Sequence, residues 1–157
     1  MPANISINFN TSSSESLASL VDARFVSQDA MSLSKNFSAG ALAGQVDLIC
    51  EKRGAAAASP EDIDLSMVSD QNGDLSAFAM LKGLIVCNKG DTNALEVSGS
   101  YFGATAAIAI PAGGALVLLM PDGVDITADS NDIISIGSAI GTDYELRIVG
   151  VKVAQSE

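Results

Sequence analysis

At 157 residues the chain is the length of one domain, and its 48% apolar content excludes a mostly disordered polymer. Nineteen acidic residues against eight basic ones give −11 at pH 7, the wrong sign for gripping nucleic acid or an anionic membrane. The absence of His removes Ser-His and Cys-His nucleophile systems and most zinc or iron sites, and the absence of Trp leaves an aliphatic core.

The N-terminus, Met1-Pro2-Ala3-Asn4-Ile5-Ser6, lacks the basic-then-apolar order of a secretory signal. Ile5, Ile7 and Phe9 then alternate with polar residues, the period-2 pattern of a half-buried strand. Ser12-Ser13-Ser14 ahead of Glu15, Leu17, Leu20, Val21 and Phe25 allows a short capped helix or an extended segment. The Ser-rich remainder as far as Gly44 is weakly patterned. Residues 1–44 therefore form a less regular N-terminal arm, and residues 45–157 a separate domain.

That domain opens with strands expected at residues 45–52 and around 62–67. Between them Gly54-Ala55-Ala56-Ala57-Ala58-Ser59-Pro60 favours an exposed loop. Asp70-Gln71-Asn72-Gly73-Asp74 is a turn centred on Asn-Gly. Residues 80–88 are apolar on both faces, as a central strand requires. Lys89-Gly90-Asp91-Thr92-Asn93 turns the chain and residues 94–97 return it. The uncharged stretch 98–120 has the length of a membrane span, but Gly99, Gly103, Pro111, Gly113 and Gly114 break it into buried strands. Strands follow at residues 107–110 and 115–119, the latter closed by Pro121-Asp122-Gly123. Short strands at 124–127 and 132–136 and an alternating one at 144–151 complete the domain. Turn signals every eight to twelve residues or so, with no long helical pattern between them, predict an all-β chain. The architecture is a β-sandwich or jelly roll of short antiparallel strands. Leu84, Val86, Leu116, Leu118, Ile134, Leu146 and Ile148 are its expected core.

Candidate chemistry is sparse. Cys50 and Cys87 sit in apolar runs and read as buried free thiols, with pairing left open; no Cys-x-x-Cys supports a metal or redox site. The acidic turn at Asp70 fails as an EF-hand loop, because its sixth and twelfth positions are Leu75 and Leu81. Asp129-Ser130-Asn131-Asp132 reads likewise as a polar loop tip. Ser32-Leu33-Ser34-Lys35 fits Ser-x-x-Lys without the companion motifs of acyl enzymes. Glu51, Glu61, Asp62, Asp64 and Glu96 have the right type for glycoside hydrolysis, yet the chain lacks aromatic sugar platforms. No catalytic, cofactor-binding or metal-ligating residue is assigned.

Leu81-Lys82-Gly83-Leu84-Ile85-Val86-Cys87-Asn88, a polar turn, and Asn93-Ala94-Leu95-Glu96-Val97-Ser98-Gly99 resemble a pattern of virion structural proteins of tailed bacteriophages. The turn at Pro111-Ala112-Gly113-Gly114, then Thr127-Ala128 and Asp132-Ile133-Ile134-Ser135-Ile136, are similar to its continuation. The final alternating strand at 144–150 and the lead-in Ile63-Asp64-Leu65-Ser66 fit as well, so the resemblance covers residues 62–153. It implies a capsid decoration (cement) protein on the capsid surface of a virion, made in the host cytoplasm. Its partners would be the major capsid protein and itself as a homotrimer, without nucleic acid, membrane or cofactor. A tail or head-fibre component is the nearest alternative. A calcium-assisted carbohydrate-binding module follows from another class, and a small hydrolase comes last. Ile5, Ile7 and Phe9, on a strand with few local partners, are the expected interaction residues.

Overall fold

The computed structural model describes residues 5–13, 29–70, 73–103 and 107–154, with the backbone alone for 5–13 and 29–36. The chain divides into two compact units, Met1–Ser38 and Ala39–Glu157. In the first, β1 (Ile5–Ser13) pairs antiparallel with β2 (Asp29–Ala39) in register from Ile5 opposite Phe37 to Ser13 opposite Asp29. The expected strand at Ile5, Ile7 and Phe9 is thus present and runs on through Ser13. The candidate helix at residues 15–25 lies outside the described residues.

The second unit begins with β3 (Gln45–Val46), β4 (Leu48–Ala56), β5 (Glu61–Asp64), β6 (Val68–Ser69), β7 (Leu75–Ser76) and β8 (Phe78–Asn88). It continues through β9 (Leu95–Ser98), a 3-10 turn at Ser100–Phe102, β10 (Ile108–Ile110), β11 (Ala115–Asp125), β12 (Ile133–Gly137) and β13 (Thr142–Lys152). One antiparallel sheet has the order β10-β9-β12-β5, the other β11-β8-β13-β4, while β6 and β7 form a small hairpin. The two four-stranded sheets pack face to face, so the chain is an all-β sandwich. Ile63, Val97, Ile134 and Ile136 from the first meet Leu84, Val86, Leu146 and Ile148 from the second in one buried cluster. Each such aliphatic side chain contributes about 1.5–3 kcal/mol by leaving water. Among the described residues no helix is long and apolar enough to cross a membrane.

Partner choice departs from the sequence reading at three places. The turn after β8 does not return a hairpin partner: β8 is already flanked by β11 and β13, and β9 crosses to the other sheet, between β10 and β12. Pro121-Asp122-Gly123 does not close β11. The register jumps from Leu119 opposite Gly83 to Val124 opposite Leu81, a bulge inside one strand that continues to Asp125. Proline is tolerated there because β11 is an edge strand, with one side of its backbone unpaired within the sheet. For the same reason Leu116 and Leu118 are half-buried against the core, whereas Leu84, Val86, Ile134, Leu146 and Ile148 are buried as expected. In addition, residues 54–56 extend β4 opposite Thr142–Tyr144 rather than opening a loop.

Close backbone approach fixes one glycine in β13. A Cβ at Gly150 would stand 2.1 Å from the Met80 carbonyl oxygen, beside the register shift between Val149 and Gly150.

Candidate functional site

The sequence singled out Ile5, Ile7 and Phe9 for interaction, and β1 carries all three. Its register sets positions 5, 7, 9 and 11 opposite Phe37, Lys35, Leu33 and Met31. Because strand positions alternate between faces, these residues share one face of the ribbon. Ser6, Asn8, Asn10 and Ser12, opposite Asn36, Ser34, Ser32 and Ala30, share the other. The sequence reading missed β2, although Met31, Leu33 and Phe37 alternate with Ser32, Ser34 and Asn36. The Ser-x-x-Lys match falls within that strand.

The candidate acids do not converge on a reactive centre. Glu51 is paired with Arg147 at 2.7 Å, Asp62 accepts from the Ser135 hydroxyl at 2.5 Å, and Asp64 accepts from both the amide and the hydroxyl of Ser66. Glu61 bridges the sheets, bound to Lys52 and to the Tyr144 hydroxyl at 2.5 Å each. The Lys52 bond and then the Tyr144 bond hold its carboxyl below the ordinary range. Glu96 is exposed on β9. Among the described residues no three His, Cys, Asp or Glu side chains gather as metal ligands.

Both acidic loops are built as turns. The Asp70 carbonyl accepts the Gly73 amide at 3.0 Å, and its carboxylate accepts the Asp74 amide at 3.0 Å. In the other, Asp132 accepts the Asp129 amide at 2.8 Å and Asn131 accepts the Thr127 amide at 2.7 Å. A side-chain oxygen that caps a backbone amide in this way gives a turn its shape.

The asparagines of the sequence pattern have structural work to do. Asn88, buried at the end of β8, donates to the carbonyls of Asn93 and Ile110 and accepts from the Gly90 amide and the Thr142 hydroxyl. Asn93 in turn donates to the Gly141 carbonyl at 2.7 Å. These bonds knit the β8–β9 connection to the start of β13. The polar end of an apolar run was the available signal for this role.

Among the described residues, several large apolar side chains are left in water. A groove beside β6 and β7 exposes Met67, Leu75 and Val153, and the loop before β13 exposes Ile140. Sequence periodicity gave no sign of either, since isolated aliphatic residues at turns carry no pattern. No family model matches the chain, and no curated protein matches it well enough to count as a relative.

Proposed function

We propose that the chain is a non-enzymatic structural protein of a bacteriophage particle, a capsid decoration (cement) protein that clamps the major capsid lattice and associates with itself as a trimer. The observation that carries this reading is the β1–β2 ribbon, a unit separate from the sandwich. Ile5, Ile7 and Phe9 lie on one face of it and Ser6, Asn8 and Asn10 on the other. Within its sheet β1 is an edge strand paired with β2 only, leaving one edge to add to another sheet.

The sandwich supports the same reading. Its strands pass back and forth between the sheets, apart from the paired β9 and β10, so that β4, β8, β11 and β13 make one and β5, β9, β10 and β12 the other. We read that winding as a jelly roll, a robust scaffold for surface parts. Its candidate acids Glu51, Glu61, Asp62 and Asp64 are engaged in structural bonds, which suits a part that must be inert.

Co-sedimentation with capsids of the parent phage that lack this protein tests the reading. The full chain should pellet with them and raise their heat resistance, while a variant lacking residues 1–9 should stay in the supernatant. A full chain that never pellets overturns the function. Equal pelleting of a folded truncated variant moves attachment away from Ile5, Ile7 and Phe9.

A further inference from the structure

Apolar side chains lie exposed near both ends of β13. Before its start, residues 138–141 present Ile140 with 83% of its surface in water. That loop is tightly pinned. The Ser138 amide donates to the Ala57 carbonyl at 2.9 Å and its hydroxyl to the Ala94 carbonyl at 2.8 Å, while Asn93 holds the Gly141 carbonyl. A large aliphatic side chain on a loop already held in place loses little freedom when it docks.

Past the other end of β13 lies the groove, where Met67 is 64% exposed, Leu75 69% and Val153 49%. Ala77 and Ala154 complete its apolar wall, and Lys152 is its one charged lining residue. Eleven strand residues separate knob from groove, roughly 35 Å at the rise of a β-strand. The knob therefore cannot fill the groove of its own chain.

We propose that Ile140 of one copy inserts into the Met67–Leu75–Val153 groove of the next, a head-to-tail contact between copies of this chain. Charge favours this occupant at short range: Asp143, exposed and three residues past the knob, is opposite in sign to the Lys152 that lines the groove. The net charge of −11 per chain opposes any broad polar contact, so a compact apolar plug suits this protein. Because knob and groove are different surfaces, the interface is heterologous and builds a ring where the rotation closes. The inference rests on the reading of a self-associating particle part and names the contact it uses.

Sedimentation velocity on the purified full chain, with no capsid present, is the test. The wild type should assemble, whereas Ile140→Asp and Leu75→Asp should each sediment as monomers with an unchanged melting temperature. Mixed together, the two variants should form a one-to-one dimer, since the first keeps its groove and the second its knob. A monomeric wild type, a variant that assembles normally, or a mixture that stays monomeric overturns the proposal. Where an aspartate variant does not fold, Ile140→Ala and Leu75→Ala replace it, and undiminished assembly of both is equally fatal. Capsid co-sedimentation is a separate readout, so a failure here is distinguishable from a failure of the particle reading.

Discussion

The Tyr144 hydroxyl donates to Glu61 across the gap between the two sheets, 2.5 Å from Oε2, while Lys52 holds the other carboxylate oxygen. Burial and then the Glu61 bond push the phenol far above its ordinary value. Lys52 and Tyr144 together lower the Glu61 carboxyl. The stability from lowering an acid is present above its unfolded value, about 4 for a glutamate, and is lost as pH falls through the folded one. For the raised phenol it is present below about 10 and lost as pH rises through the folded value. Tyr144→Phe should therefore cost about 0.5–1.5 kcal/mol at neutral pH and flatten both flanks. Urea titrations across the pH range check this; flanks as steep as the wild type's would refute it.

Asn88 uses its amide group completely, donating twice and accepting twice at the end of β8. Asn88→Ala strands the Ile110 carbonyl and the Thr142 hydroxyl in a dry setting, at a cost of about 2–4 kcal/mol. Thr142→Val removes one bond of the set and should cost less, about 1–2 kcal/mol. A double-mutant cycle in urea should return a clear coupling energy between the two. Strict additivity would mean that the bond contributes nothing of its own.

Strand existence was legible where the signal is local, and strand partnership was not. The apolar runs of β4, β8 and β13 and the turn at Asp70 each declare themselves within a few residues. Which sheet β9 joins depends on β11 and β13 having taken both sides of β8, and a sequence window cannot hold that relation. Leu116 and Leu118 read like Leu84 until β11 is known to be an edge strand. The same separation holds for the candidate sites. Ile5, Ile7 and Phe9 alternate visibly, whereas Ile140 is set out by hydrogen bonds to Asn93, Ala94 and Ala57, far apart in the chain.

Gly99, in the resembling Asn-x-Leu-x-Val segment, is required by its position. Its φ is +111°, and a Cβ there would lie 2.3 Å from the Ile133 carbonyl oxygen, part of the backbone of β12. Neither partner has a flexible end to move aside. Gly99→Ala should destabilise by about 2–4 kcal/mol, combining the unfavourable backbone conformation with the clash. Thermal melts check this, and a loss under about 0.5 kcal/mol would show that β9 and β12 can separate at no cost.

The two thiols stand on opposite faces of one sheet. Cys50 is aligned across β13 with Leu84 through Ile148, and all three are buried on the core side. Cys87 is aligned with Arg53 through Glu145, an odd number of residues further along, so it faces outward and is half-buried. Strand alternation therefore prevents a Cys50–Cys87 bridge without unfolding. Burial also raises the Cys50 pKa, which suppresses its thiolate. A thiol reagent at neutral pH should label Cys87 in the native protein and reach Cys50 only as urea unfolds the sandwich. Mass spectrometry of the labelled peptides locates each adduct. Equal native labelling at both cysteines would contradict the register of β4 against β13.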